Sequence, residues 1–420
     1  IHALESRYAE NPPEDRRVLD EAYAKATGAL VAQRPDDLDA RVFHAEALMD
    51  LQPWDYYDEK LAPKGNTAAV VSLLESVMKE NPNHAGALHL YVHAVEASAD
   101  PQRGVVAADR LRTLIPGSGH LVHMPAHIYA RVGRWHDAVV ANQAAIAADN
   151  DYLATCGPNA KGVYPLGYVP HNPHFLWFAA SMEGASKVAQ DAARTTAQRV
   201  NLPDLMRQPG FAGLQHYWMT PWFDNVRFGR WDEIRAVPNP APDLPYVTAI
   251  WNYAQAMAAI RQGRMEDANT HYAALSKLAA DPIMPTLMVW DRYPLAHAAN
   301  IAERTVNAEL ALARGDQAAA IAALAEAVTI EDRIPYDEPP GWHSPVRQSL
   351  GAAMLSAGRA SEAEQVYRDE LQRNPQNGWS LKGLALALRA QQKTEAAMAV
   401  EKQLQAAWQH ADVQLVASRF

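Results

Sequence analysis

The sequence predicts an all-α chain of stacked helical hairpins, and three observations carry that prediction. Pro82 and Pro116 stand 34 residues apart, and each is followed seven and eleven residues later by a histidine pair, His89/His93 and His123/His127. A turn of the form apolar-x-x-Gly-Arg-aromatic-x-x-Ala, or a close variant, recurs along the chain. Between these markers apolar residues fall at helical spacing, as at Leu310, Ala311, Ala313, Ile321, Leu324, Ala325 and Val328, while strand signals are almost lacking. A period of about 34 residues is that of a helix–turn–helix unit which buries its apolar face only against its neighbours. The expected fold is an all-α, tetratricopeptide-like right-handed helical solenoid with loop insertions.

Taken in order, Arg34-Pro35-Asp36-Asp37 closes the first repeat, because the residue before a proline is pushed out of the helical region and Asp favours turns. Pro53-Trp54-Asp55-Tyr56-Tyr57-Asp58 is an aromatic–acidic insertion, and Asn81-Pro82-Asn83 and Pro116 mark the next repeat ends. The inter-helix turn appears at Val132-Gly133-Arg134-Trp135, weakly at Glu183-Gly184-Ala185, and again at Phe228-Gly229-Arg230-Trp231, Gln262-Gly263-Arg264, Arg314-Gly315-Asp316 and Ala357-Gly358-Arg359. Spacings of 51, 45, 34, 52 and 43 residues between these glycines imply insertions in several repeats. Insertions of this kind map to loops, often on the working face. Residues 156–173 are rich in Gly, Pro and Tyr, residues 334–345 are too proline-rich for helix, and Asn374-Pro375-Gln376-Asn377 is the last turn. This organisation suggests N-terminal repeats carrying the histidine cluster over 1–200, middle repeats with a Trp/Pro-rich insert over 201–335, and final repeats with a cap over 336–420.

Bulk composition narrows the partners. A formal charge of −10, a pI near 5.9 and the lack of any long basic run argue against nucleic acid. A membrane span is not expected, since the most apolar stretches, such as 318–328, are Ala-rich and interrupted by Glu326. The single cysteine, Cys156, excludes an internal disulfide and a Cys-rich zinc module.

Nine of the sixteen histidines fall between His84 and His174, and it is their register that singles them out. Aligned on the prolines and the inter-helix glycines, His89, His123 and His174 share one rung, and His93 and His127 the next, joined by Glu46. His120, His171 and His216 share a third. A solenoid packs on apolar residues and gains nothing from imidazoles in register. Neutral imidazole suits Zn, Cu, Fe and Ni, and the absence of thiolate argues against a closed structural zinc site. The expected ligands are His89, His93, His120, His123, His127, His171 and His174, binding one or more transition metal ions, with copper favoured over zinc or iron. Their number exceeds what one four-coordinate ion uses, which suits two ions or one ion with supporting imidazoles. Glu46, Glu96, Tyr168, His216, Glu338, Trp342 and Arg347 are candidates for orienting the ligands or binding substrate. His44, His84, His136, His271, His297 and His410 are expected at outer faces or helix ends.

Gly119-His120-Leu121-Val122-His123-Met124-Pro125-Ala126-His127-Ile128-Tyr129 and Pro170-His171-Asn172-Pro173-His174-Phe175 are specific motifs, as are Glu338-Pro339-Pro340-Gly341-Trp342 and the final Ala407-Trp408, Ala411-Asp412-Val413 and Ser418-Arg419-Phe420. Through them the chain resembles, over essentially its whole length, a family of large bacterial tetratricopeptide-repeat proteins of unassigned function. The resemblance implies the fold and little about activity. Members usually carry further N-terminal repeats and often an export signal. With Ile1 in place of an initiator Met, that favours a periplasmic or secreted origin over a cytoplasmic one.

Two functional classes follow. The first is a transition-metal-binding helical-repeat protein whose multi-histidine site lies on the concave face, in a dinuclear, copper-like form a metal-dependent oxidoreductase, with loops around Trp54, Tyr168 and Trp342 shaping a cleft for a small molecule. The second is a non-catalytic tetratricopeptide scaffold whose groove takes a peptide or protein partner, with Arg131, Arg134 and Arg347 gripping carboxylates. Imidazoles spread along the groove would favour the second.

Overall fold

The computed structural model describes residues 1–157 and 162–420, so positions 158–161 of the third-repeat insertion lie outside it. The chain is all-α, and among the described residues the only strands are Met288–Val289 and Tyr293–Pro294, a two-residue antiparallel pairing. The chain forms two compact units, one of residues 1–132 with 147–152, the other of residues 133–146 with 153–420.

In the first unit the helices Arg17–Gln33, Leu38–Asp50, Thr67–Glu80, Ala85–Glu96, Val105–Leu114 and Pro125–Val132 follow one another as hairpins. Leu38–Asp50, Ala85–Glu96 and Pro125–Val132 also lie side by side in one row. The proline turns work through capping. The residue two beyond the proline, Asp37 after Pro35 and His84 after Pro82, accepts the backbone N–H three residues on, at 3.0 and 3.3 Å. This satisfies one of the donors that every helix start leaves unpaired. His84 is therefore a helix-end residue, as expected. Leu88, Val92, Val122 and Ile128 are buried between layers, and each such side chain contributes about 1.5–3 kcal/mol.

His123 and His127 do not share a continuous helix. The chain breaks at Met124 into Gly119–His123 and Pro125–Val132. Pro125 has no N–H to give to the preceding turn, and its ring would collide with the carbonyl four residues back.

In the second unit the hairpins include Val169–Glu183 with Ser186–Arg199, Pro245–Arg261 with Met265–Ala279, Ala296–Ala313 with Gln317–Glu331, Val346–Ser356 with Ala360–Arg373, and Gly378–Ala390 with Thr394–Ala407. The predicted inter-helix turns fall where helices meet. At Gly184 the backbone is left-handed, φ +78°, and a Cβ there would stand 2.3 Å from the Trp408 ring, so both conformation and space demand glycine.

This unit closes on itself. Gly378–Ala390 packs against Val169–Glu183, with the buried Trp379 indole donating to the Ser181 carbonyl at 2.8 Å, and Trp135 Nε1 donates to the Pro375 carbonyl at 2.8 Å. Residues 408–420 strap the closure. Asp412 accepts the N–H groups of Ser186 and Lys187, Ser418 bonds Tyr367 and the Gln348 carbonyl, and Arg419 pairs with Glu309. Among the described residues no helix is long and apolar enough to cross a membrane.

Candidate metal centre

Five of the seven expected ligands come together inside the first unit. His89 and His93 project from Ala85–Glu96, His120 and His123 from Gly119–His123, and His127 from Pro125–Val132. Neighbouring ring centroids are 4.7 to 6.4 Å apart. His89 Nε2 lies 3.0 Å from His120 Nε2, and His123 Nε2 lies 2.7 Å from His127 Nε2. Two imidazole nitrogens approach this closely only with a proton or a cation between them, because otherwise both are acceptors.

His89, His93 and His120 each offer one ring nitrogen within 4.8 Å of the other two, and all three are half-buried. His123 and His127 are buried, at 0 and 6% exposure.

Glu96, 2% exposed, sits behind both groups. One carboxylate oxygen is 3.3 Å from His93 Nδ1 and the other 2.7 Å from His127 Nδ1. A carboxylate there selects the Nδ1–H tautomer of both rings and leaves each Nε2 with its lone pair available, the arrangement found behind metal-ligating histidines. Burial opposes the charge of Glu96, but the His127 and His93 rings outweigh it and hold its pKa below the usual carboxylate range. Burial also lowers His89, helped by the neighbouring His93, to about 3, and drives His120 well down. Such rings are neutral at physiological pH, which is the form a metal binds.

Arg131 completes this end of the unit. Its Nε donates to the Glu96 backbone carbonyl at 2.9 Å, placing positive charge at the C-terminal end of Ala85–Glu96. It anchors the helix that carries Glu96. Tyr91 and Tyr129 pack away from the cluster, donating to Glu75 and Asp109.

Glu46 makes no hydrogen bond or ion pair with the imidazoles. It faces Arg7, Asp50 and Tyr23, and burial raises its pKa. Of these, Arg7 is ion-paired with Asp50 at 2.7 Å. His171 and His174 belong to the second unit, where His171 Nδ1 lies 3.4 Å from the Tyr217 hydroxyl. His174 is 3% exposed, lies against the Tyr217 and Trp177 rings, and has neither nitrogen hydrogen-bonded. His216 bonds the Tyr246 hydroxyl at 2.7 Å and is lowered by burial to about 4.

Tyr168 is exposed and stacks on Tyr164. Trp342 is 4% exposed, packs on Phe223, Tyr253 and His343, and lines a cavity of the second unit. Arg347 is engaged by Asp332 through two hydrogen bonds of 2.8 and 2.7 Å, which leaves it a structural partner. Glu338 is half-buried in the Pro-rich segment. Of the histidines set aside, His136 and His410 stack face to face at 3.6 Å beside Glu183.

The fold defines a tetratricopeptide-like all-α helical repeat protein. No protein-family model matches the chain, and no curated protein matches it. Among solved structures it is similar to a human IFIT1 dimer with m7Gppp-AAAA, at 10% identity over 93% of this chain and 78% of that one, with a TM-score of 0.39. It is also similar to the P58(IPK) TPR domain, at 13% identity, 90% and 94% coverage and a TM-score of 0.25. For the APC/C hetero-tetramer Cut9-Hcn1 the values are 10%, 92%, 90% and 0.29.

Proposed function

We propose that the first unit binds a transition metal ion through His89, His93 and His120, with His123 and His127 forming an adjoining half-site and Glu96 orienting both. The observation that carries this reading is the pair of short Nε2 approaches, 3.0 and 2.7 Å, between imidazoles whose neighbours are turned by a shared carboxylate. Two nitrogens bound to one ion at roughly 2.0–2.1 Å lie about 2.8–3.4 Å apart, depending on the angle between them, which the 3.0 Å His89–His120 approach meets, while the 2.7 Å His123–His127 approach is that of a shared proton. An all-imidazole donor set without thiolate favours copper over zinc or iron.

A three-imidazole set with a half-open side keeps a coordination position for water or a small molecule, and on that ground the proposal extends to metal-dependent oxidoreductase chemistry. Ring spacings of 4.7 to 6.4 Å support this reading over the peptide-binding scaffold, which calls for side chains spread along a groove. Elemental analysis of protein never exposed to chelator tests it. At least one ion per chain, copper ahead of zinc and iron, is expected; sub-stoichiometric metal overturns it.

A further inference from the structure

The second unit contains a different polar cavity, and its charges do not balance. Arg227, at the end of Thr220–Arg227, is 5% exposed. Its Nη1 donates to Ser344 Oγ and Gln348 Oε1, both at 2.6 Å, and its plane stacks on the Trp379 ring at 3.9 Å. These acceptors are all neutral. Nη2 meets only the Met182 sulfur, at 4.0 Å, and Nε has no partner. Among the described residues no carboxylate lies within ion-pair distance of Arg227.

The same cavity is lined by Arg261 and Arg419, which share one carboxylate, Glu309. Arg261 Nη2 donates as well to the Phe420 oxygen at 3.2 Å, and Phe420 lines the cavity beside it, so Arg227 is the guanidinium left without an anion in contact. His343 also lines it, buried, with Nε2 on the Tyr253 hydroxyl at 3.0 Å and Nδ1 unpartnered. Burial, with Arg227 and His216 adding to it, pushes the His343 pKa well down, so that ring donates or accepts as a neutral group.

An unpaired charge buried in protein costs several kcal/mol, and a guanidinium is relieved best by a planar anion that meets its fork. The cavity has a volume of about 40 Å³, space for about three waters or one small organic acid. We infer that this cavity, walled by Arg227, Arg261, Arg419 and His343, binds the carboxylate of a small organic acid. The site is independent of the histidine cluster, and its ligand supplies the negative charge that the chain leaves out.

The test is a titration with sodium acetate replacing sodium chloride at constant ionic strength, following the thermal midpoint and the linewidth of the acetate methyl resonance. Wild type is expected to show a saturable rise in midpoint and line broadening. Arg227→Met should lose both. Arg419→Met leaves Glu309 paired with Arg261, so it keeps the fold if Arg227→Met does not, and it should weaken acetate binding at least threefold. No saturable acetate effect in wild type, or the same effect in a folded variant, overturns the assignment.

Discussion

Replacing Glu96 by Gln is the sharpest probe of the histidine cluster. Glu96 is 2% exposed and serves two imidazoles, one from each carboxylate oxygen, at 3.3 and 2.7 Å. Gln has nearly the same shape but only one acceptor oxygen; its other terminus is an N–H donor. One of His93 and His127 then faces a donor and must turn its ring or change tautomer, taking Nε2 out of line for coordination. Loss of such an outer partner costs 10- to 100-fold in metal affinity, about 1.4–2.7 kcal/mol. Affinity is to be measured by competition with a chromophoric chelator for Cu(II) and Zn(II), with far-UV circular dichroism on the same samples. Helicity should be unchanged. Wild-type affinity in Glu96→Gln would refute the orienting role, while metal binding by wild type would still stand as its own result.

His127→Ala removes a proposed ligand and should cost tenfold or more in metal affinity with helicity intact, because Ala is the better helix former; retained metal with lost helicity would mean the imidazole holds the fold together. Gly378→Ala would place a Cβ 1.9 Å from the Trp408 ring, and such overpacking costs about 1–3 kcal/mol, read as a lower thermal midpoint. Asp412→Ala removes the acceptor of the Ser186 and Lys187 N–H groups at a helix start, worth about 0.5–2 kcal/mol in denaturant unfolding. Burial, with Glu370 nearby, raises Glu331 to about 8, and burial raises Glu370 to about 7. Their folded-state values exceed the unfolded ones, so their contribution is complete below about pH 4.5 and is lost as pH rises through 7 to 8. The thermal midpoint should fall between about pH 4.5 and 8, and Glu331→Gln, which imitates the protonated form, should flatten that fall.

The sequence shows the fold where a residue type has one job. Pro35 and Pro82 set a cap two residues later, and Gly184 fits only a left-handed turn, so repeat ends and hairpin turns are readable from spacing. The same register places the five imidazoles of the first unit, because helices of one row present the same positions. Register fails where the backbone departs from the repeat. Pro125 is the visible signal that His123 and His127 straddle a break. Glu46 is assigned the same rung, yet the charges that act on it are Asp50 and Arg7. Glu96 has the spacing of an ordinary helix-surface charge, and only burial and the Nδ1 distances reveal its part. Arg227 carries no local signature, since its surroundings come from segments more than a hundred residues apart.

The closure of the second unit changes how that part of the chain must come into being. An open array of hairpins folds and frays like a zipper, each repeat leaning only on the next. Here Trp379 bonds Ser181 and Asp412 bonds Ser186, contacts spanning 198 and 226 residues, so the first hairpin lacks its final neighbour until the last has been synthesised. At a ribosomal pace of about 5–20 residues per second, the helix Val169–Glu183 waits on the order of ten seconds or more with an unfilled flank. Once joined, neither end can peel away alone, and amide exchange in the first and last hairpins should rise and fall together.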